Sequence, residues 1–203
     1  VTSARLTLTL ERAAPYSGSR DCTVHRVLAD WGEGAAAPSG GELAPAEAGD
    51  ATWRHRSYPD VFWTTEGADY EPVASATTGI DEEPEAKTWA STPGLVADVQ
   101  GWIDGTLPEH GWILVGDEDD VLTARRFWSR ETFVAGTEPT LALCLLRSRC
   151  EVDLDGDGMV GFSDVLAAIG AWGAAGAADL DCSGTTDEAD LQIVLDAWGP
   201  CPE

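Results

Sequence analysis

The stretch DLDGDGMVGFSDVLAAIGAWG, residues 153–173, is repeated 26 residues later as DLDCSGTTDEADLQIVLDAWG, residues 179–199. The two segments align without a gap and are identical at eight of 21 positions. The identities fall on three aspartates, a leucine, a glycine and the shared Ala-Trp-Gly ending. A repeat of this kind indicates a duplicated structural unit.

Each segment opens with a twelve-residue loop rich in oxygen-bearing side chains. Calcium takes about six to eight oxygen ligands, and such a loop supplies them from positions 1, 3, 5, 7, 9 and 12 around a turn glycine at position 6. The turn glycines are Gly158 and Gly184. The loops therefore predict two Ca²⁺ ions. The predicted ligands are Asp153, Asp155, Asp157, the Met159 carbonyl and Asp164 in the first loop, and Asp179, Asp181, Ser183, the Thr185 carbonyl, Asp187 and Asp190 in the second.

The two predicted sites are unequal. Position 8, the apolar position expected to pair the two loops, is Val160 in the first loop and the weaker Thr186 in the second. At position 5, the second loop has Ser183 in place of an acid. At position 9, the second loop has the acid Asp187, whereas Gly161 in the first loop leaves room for a water ligand. Both loops end in Asp rather than the longer Glu of an ordinary EF-hand. We expect the first site to be the better formed.

One helix is expected after each loop. Apolar residues recur with helical spacing, which predicts that the two helices pack together as a small all-α module of two loop–helix repeats. A core of this size gains much of its stability from bound calcium. An acidic linker with chance aspartate repeats is the alternative, which two in-register loops disfavour. The expected packing faces are Val165, Leu166, Ile169 and Trp172 in the first helix, and Leu191, Val194, Leu195 and Trp198 in the second.

Charge is distributed unevenly along the chain. The net charge is −24, and residues 151–203 contain twelve acidic residues but no Lys or Arg. Such a chain repels nucleic acid and anionic membrane surfaces, so neither is an expected partner. No apolar run is long enough for membrane insertion. Without an initiator Met or a leader, the chain is expected to be a mature or excised fragment.

Residues 1–146 read as β structure. Leu6, Leu8 and Leu10 alternate with polar residues, as in a half-buried strand. Short strands joined by Gly/Pro/Ser-rich connections, such as 34–50 and 66–88, predict an antiparallel β-sandwich. Because the first strand-like run begins by Ala4 without a lead-in, we expect this sandwich to be truncated at its N-terminus. A short helix is favoured over 95–103. The predicted strands are Ala4–Glu11, Thr23–Leu28, Val61–Thr65, Gly111–Gly116, Thr123–Ser129 and Thr140–Leu146.

Residues 150–201 closely resemble a type I dockerin, which has two loop–helix repeats without an entering helix. The resemblance implies a cohesin or other scaffold protein as partner, and attachment of a carbohydrate-active protein to a scaffold or cell surface. The partner-reading positions 10 and 11 depart from the familiar hydroxyl pair. They are Phe162 and Ser163 in one repeat, and Glu188 and Ala189 in the other.

Five cysteines without a CxxC pair argue against zinc and favour an oxidising compartment, which fits a secreted protein; five buried thiols in a cytosolic protein are the alternative. The dockerin resemblance places the two ends of the module side by side. It thus implies a disulfide between Cys150 and Cys201, with Cys182–Cys201 as the rival pairing.

Residues 1–146 resemble the DNRLRE-domain proteins, grouped with carbohydrate-binding module family 96. The similarity lies in VTSARLTLTL at 1–10, VHRVLADWGEG at 24–34, WRHRSYPDVFWTT at 53–65, TPGLVADVQGWIDG at 92–105, GWILVGDE at 111–118, RRFWSRE at 125–131 and EPTLAL at 138–143. The family's naming hexapeptide is absent. The resemblance implies a polysaccharide-binding β-sandwich.

Tryptophan side chains stack on sugar rings, while Arg and acidic groups bond sugar hydroxyls. An Arg–Glu pair such as Arg130–Glu131 that serves structure alone is an equally good interpretation. The candidate glycan-contacting residues are Trp31, Glu33, Trp53, Arg54, Arg56, Trp63, Arg126, Trp128 and Arg130.

No catalytic motif is present, and the three histidines share no metal-ligand spacing. We therefore expect an extracellular, non-catalytic calcium-binding protein of a polysaccharide-degradation system, associated through its dockerin with a scaffold or cell surface. One alternative is a structural surface protein with a calcium-rigidified module. The other is a fragment of a glycoside hydrolase or polysaccharide lyase, since a carboxylate pair has no fixed spacing.

Overall fold

The computed structural model describes residues 1–36, 44–117, 119–121, 123–146 and 149–201. Within these ranges the chain is mainly β, with several antiparallel sheets and three short α-helices. The prediction of a β-rich fold is therefore confirmed. We call residues 1–146 the β region and residues 150–201 the C-terminal region.

The larger sheet of the β region is built around β1 (Ser3–Ala13), the longest strand. This strand can pair along most of its length because its leucines alternate with threonines, which suits a sheet with one buried face. Its register with one partner shifts between Leu10 and Arg12, where the strand bends. All pairings are antiparallel; the partners of β1 are β6 (Ala86–Trp89), β8 (Arg125–Phe127) and β9 (Thr140–Cys144).

A second antiparallel sheet has β2 in its centre. A short hairpin and one helix complete the β region, the helix starting after the N-cap Thr92, whose side chain accepts a hydrogen bond from the Leu95 N–H. The elements are β2 (Arg20–Arg26), β3 (His55–Ser57), β4 (Val61–Phe62), β5 (Ala76–Ile80), β7 (Trp112–Val115) and α1 (Pro93–Ile103).

Both sheets and α1 contribute side chains to one apolar core. Trp89 is fully buried in it and donates its indole N–H to the carbonyl of Cys22, 2.9 Å away. Burying this large side chain with its polar group paired stabilises the contact between the two sheets. The core residues are Ala4, Leu8, Leu10, Cys22, Val24, Ala76, Ile80, Trp89, Leu95 and Val99.

The C-terminal region has a separate small core. Its buried residues are apolar side chains from the loops and helices. Its elements are a 3₁₀ turn (Arg149–Val152), β10 (Met159–Val160), α2 (Phe162–Gly170), α3 (Glu188–Asp196) and β11 (Gly199–Pro200), and its core is Val152, Val160, Ala168, Leu180 and Val194.

The helix faces that pack differ from the prediction. Val165, Val194 and Ala168 do face the core, but Leu166 and Ile169 are about half exposed (53% and 49%). The small and β-branched residues Val165, Ala168 and Val194 therefore face the core, and larger apolar side chains face outward. Of the other predicted packing residues, Trp172, Leu195 and Trp198 are likewise exposed, whereas Leu191 is half-buried.

The residues at position 8 are predicted to pair the two loops with each other, and this prediction is wrong. Val160 pairs with Gly199, which follows the second helix. Thr186 accepts a hydrogen bond from the N–H of Gly173, which follows the first helix, at 2.8 Å. Each loop is thus fastened to the end of the other repeat, which explains why the Ala-Trp-Gly ending is repeated.

The predicted strand bounds are partly wrong. The strand predicted over 61–65 covers only β4, and the predicted connection 66–88 contains β5 and most of β6, because tertiary pairing holds these Gly- and Lys-containing segments extended. The helix predicted over 95–103 is confirmed as α1. Residues 37–43 of the predicted connection 34–50 lie outside the described residues.

The disulfide in the structure is neither of those predicted. Cys144 at the end of β9 is bonded to Cys182, which excludes the Cys182–Cys201 pairing. Cys150 and Cys201 are free thiols, so the bond predicted between them is not formed. Cys150 and Cys201 nevertheless lie close together. A hydrogen bond with Cys150, the largest of several causes, raises the pKa of Cys201 to about 12.

Among the residues that the structure describes, no helix has both the length and the apolar composition needed to cross a bilayer.

Candidate metal centres and an aromatic groove

The first loop gathers three of its predicted ligands around one point. Oxygens of Asp153, Asp155 and Asp164 all lie within 4.8 Å of one another. Asp164 is 1% exposed, and its carboxylate accepts hydrogen bonds from the N–H groups of Leu154 (2.7 Å) and Gly161 (2.6 Å). Hydrogen bonds within the chain therefore hold Asp164, the last residue of this loop, against Leu154 and Gly161.

The second loop repeats this geometry. Oxygens of Asp179, Asp181 and Asp190 lie within 4.8 Å of one another. Asp190 is 0% exposed and accepts from the N–H groups of Leu180 (2.6 Å) and Asp187 (2.8 Å), the residues equivalent to Leu154 and Gly161. The sequence repeat is therefore also a repeat of hydrogen bonds.

Other predicted ligands lie in the loops but outside the two clusters. Asp157 accepts from the Met159 N–H at 2.8 Å, and Asp187 caps α3 by accepting from the Ala189 N–H at 2.9 Å. Ser183 donates to the Thr185 carbonyl at 2.9 Å. Their positions in the loops would allow these oxygens to join the coordination shell of a metal ion. In this structure each forms a hydrogen bond within the chain.

Left-handed backbone at two loop positions shapes each turn. At position 6, Gly158 and Gly184 have φ of 89° and 98°. At position 4, Gly156 (φ 75°) corresponds to Cys182, which adopts φ 55° although it is not a glycine. The glycines adopt such values without strain, whereas Cys182 is held there while bonded to Cys144.

Asp153, at position 1, collects three backbone donors, the N–H groups of Gly156, Asp157 and Gly158. Desolvation tends to raise the pKa of Asp153, but the hydrogen bonds from Gly158, Gly156 and Asp157 outweigh it, and the pKa lies below its ordinary value. The group is therefore poised as a carboxylate, the form that binds a cation.

The donor set fits a hard cation. All six clustered residues offer carboxylate oxygens, and this is the chemistry that Ca²⁺ prefers. Soft ions prefer sulfur or imidazole, and neither cluster contains them.

The second loop touches the β region directly. The side chains of Thr2 and Ser3 donate to the carbonyls of Leu180 (3.0 Å) and Asp181 (2.6 Å). Arg5 donates to the Cys182 carbonyl at 3.0 Å. Together with the Cys144–Cys182 bond, these contacts fasten the first half of that loop to β1 and β9, which the sequence did not indicate.

A groove of about 520 Å³ in the β region brings together three of the predicted glycan-contacting residues, Trp31, Trp53 and Trp63. Trp31 and Trp53 are 46% and 59% exposed, so their rings are accessible. The groove is open and mostly apolar, as sugar-stacking surfaces are. Sequence reasoning missed two aromatic residues that also line it, Tyr70 and Trp112.

Two hydrogen bonds and one close approach fix these rings. The Trp31 indole donates to the His110 carbonyl (2.8 Å), and the Trp63 indole donates to the Thr52 carbonyl (2.9 Å). The Trp53 ring lies so close to Gly67 that a Cβ there would be 2.8 Å from it. The aromatic surface is therefore preformed.

The other predicted glycan-contacting residues do not line the groove. Arg54 pairs at its rim with Glu66 (3.2 Å), which does line it, and Arg56 pairs with Asp30. Trp128 and Arg126 lie elsewhere, the latter paired with Glu11. Glu33 and Arg130 bond each other at 2.8 Å, and Arg130 also bonds Glu131, which fits the interpretation of a structural pair.

No protein-family model, no curated protein and no solved structure matches the chain.

Proposed function

We propose that this protein is an extracellular, non-catalytic calcium-binding protein of a polysaccharide-degrading system. In this proposal the C-terminal region is a dockerin-like module that holds two Ca²⁺ ions, and the β region is a β-sandwich that binds glycan. One observation carries it. Two loops in the same register each gather three carboxylates within 4.8 Å around a buried aspartate.

The burial of Asp164 and Asp190 supports a cation rather than a merely acidic surface. Three carboxylates at this separation repel one another, and a buried charge is costly unless it is paired or coordinates a metal. Residues 150–201 contain no Lys or Arg that could neutralise them from within the region. A divalent cation in each loop removes the repulsion and completes the loop's hydrogen-bonded geometry.

Isothermal titration of the full chain with CaCl₂ tests this proposal. We expect two sites, one of which is lost in Asp164→Asn and the other in Asp190→Asn. Either substitution should weaken its site at least about tenfold, since losing even an outer-shell partner costs that much. Asp196→Asn, an equal charge change at an exposed helix position, should leave both sites. Absence of calcium binding by the unaltered chain contradicts the proposal.

Melting of the full chain with and without EDTA gives an independent measurement. Ligand at about 100 times its Kd stabilises by about 2.7 kcal/mol per site, so calcium should raise the melting temperature clearly. An unchanged melting temperature would exclude a structural role for calcium.

An exposed apolar face on α2 supports the docking part of the proposal. Phe162, Leu166 and Ile169 follow one another at helical spacing and are 67%, 53% and 49% exposed. Trp172 extends the same face. We propose a cohesin or another scaffold protein as its partner. Leu166→Asp should abolish calcium-dependent capture by an immobilised cohesin, whereas Asp196→Asn should not.

The tryptophan groove supports glycan binding as a second function. Affinity electrophoresis in gels containing soluble acidic or neutral polysaccharides should show retardation of the full chain. Trp53→Ala should remove that retardation, because it deletes the most exposed ring of the groove. Trp172→Ala, an exposed tryptophan outside the groove, is the matched control.

A structural surface protein remains the competing function. Calcium-dependent self-association, without retardation by any polysaccharide or capture by cohesin, would favour it. Hydrolysis or cleavage of a polysaccharide by the full chain would instead favour a hydrolase or lyase fragment.

A further inference from the structure

The two calcium loops differ in their surroundings more than in their own geometry. The first half of the second loop is covered by β1 and β9, through Thr2, Ser3 and the Cys144–Cys182 bond. Among the side chains that the structure describes, no carboxylate of the first loop forms an ion pair. Among the described residues, the hydrogen bonds, the ion pair and the disulfide that join the β region to the two loops therefore all fall on the second loop.

Arg5 is the charged residue at this contact. Its Nη2 lies 3.9 Å from Oδ2 of Asp181, which is the position-3 ligand of the second loop. Its Nη1 donates to the Cys182 carbonyl at 3.0 Å, which keeps the guanidinium beside the loop. The two side chains are only 26% and 13% exposed, so solvent screens this charge incompletely.

We propose that Arg5 lowers the calcium affinity of the second loop, so that the β region makes the two sites fill in order, the first loop before the second. The inference rests on the proposed calcium function. Without calcium, Arg5 neutralises part of the acidic cluster. With calcium, the guanidinium faces a dication across Asp181, and the repulsion opposes binding.

The disulfide makes this contact permanent. Cys182 is the residue that follows Asp181, and its bond to Cys144 holds this part of the loop against the end of β9. β9 pairs with β1 in a register that sets Ala142 opposite Arg5. The loop cannot move away from Arg5 without breaking either the disulfide or this strand pairing.

Calcium titration of full-length variants tests the proposal. Asp164→Asn is expected to remove the first site, so the remaining signal reports the second. In that background Arg5→Gln should raise second-site affinity about threefold to tenfold at low salt, as expected for a single charge acting on a dication near the surface. The gain should shrink as salt is added. Arg5→Lys, which keeps the charge, should resemble the parent.

Arg12→Gln is the matched control, since it removes an exposed positive charge from the same strand. It should change second-site affinity less than about twofold, because its charge is screened by solvent. In the Asp190→Asn background, Arg5→Gln should leave the first site unchanged.

Three results would overturn the inference. Arg5→Gln could do no more than Arg12→Gln, could act equally on both loops, or could lower second-site affinity, in which case its hydrogen bond to Cys182 outweighs its charge. Circular dichroism of each variant excludes unfolding as the cause. If no variant binds calcium at all, the proposed function fails and not merely the role of Arg5.

Discussion

At the scale of single residues, Asp50 organises a β-region loop much as Asp164 organises the first acidic loop, residues 153–164. Asp50 is 6% exposed, and its carboxylate accepts from the N–H groups of Glu47 (2.6 Å), Ala35 (2.9 Å) and Ala36 (3.3 Å). The hydrogen bond from Glu47, assisted by those from Ala36 and Ala35 against an opposing effect of desolvation, lowers the pKa of Asp50.

This lowered pKa predicts a specific acid sensitivity. Because the folded-state pKa lies below the ordinary value of about 3.9, the stabilisation is fully present above that pH and is lost as the pH falls through the folded-state pKa. Asp50→Asn should lower stability at neutral pH and lose less on acidification than the parent. Urea unfolding at pH 7 and near pH 3 measures this. Equal losses in parent and variant would contradict it, and Asp60→Asn, at an exposed position, is the control.

Gly67 gives a second prediction at this scale. It has φ 98°, and a Cβ added there would lie 2.8 Å from the Trp53 ring, so Gly67→Ala should push that ring out of the groove. Gly136→Ala is matched, since φ is 83° there and no atom lies within 4 Å of the added Cβ. Both should cost about 1–2 kcal/mol of backbone strain. Only Gly67→Ala should also change the tryptophan fluorescence emission. An identical emission spectrum in both variants would show that the Trp53 ring is not held against Gly67.

In each loop, the structure brings three of the aspartates singled out from the sequence within 4.8 Å of one another, because their clustering depends on local spacing. The sequence does not predict Arg5 beside Asp181, or Tyr70 and Trp112 in the groove, because those contacts join positions far apart in the chain. Cys144 is a similar case. Its partner is determined by where β9 ends, which no spacing rule contains.

At the scale of elements, the packing faces of α2 and α3 separate sequence pattern from tertiary contact. Helical periodicity predicts that Val194 and Leu195 share one packing face, and that Val165 and Ile169 share another. In the structure only Val194 and Val165 pack against the core. The short loops determine the rotation of each helix, and periodicity alone cannot. The exposed members then become available for a partner.

Replacing a buried and a half-exposed side chain by alanine tests which face packs against the core. Val194→Ala removes methyl groups from a fully buried site and should lower the free energy of unfolding by roughly 1–3 kcal/mol, through lost burial and an unfilled cavity. Ile169→Ala removes more carbon from a half-exposed site and should cost less. Calcium-saturated urea unfolding of the two variants gives the comparison. A larger cost for Ile169→Ala would restore the packing face predicted from periodicity.

At the scale of the whole molecule, the Cys144–Cys182 bond joins the β region to the second acidic loop, residues 179–190, across 38 residues of sequence. Closing a loop of that length contributes about 4 kcal/mol in the chain-entropy description. Thr2 and Ser3 add hydrogen bonds to the same loop. Under the proposed calcium binding, the ion should order the loop that holds the β1 terminus, and so should protect part of the β region that contains no predicted ligand.

Hydrogen exchange measured by mass spectrometry tests this coupling. Removing calcium with EDTA should speed exchange in peptides covering β9 and the start of β1, as well as in the loops. In the Cys144→Ser/Cys182→Ser variant the loops should still respond to calcium, but β1 and β9 should respond much less, since only the hydrogen bonds remain. Cys150→Ser, which removes a free thiol, should behave as the parent does. Exchange in β1 and β9 that is indifferent to EDTA in the parent would mean that the two regions are joined covalently but are stable independently of each other.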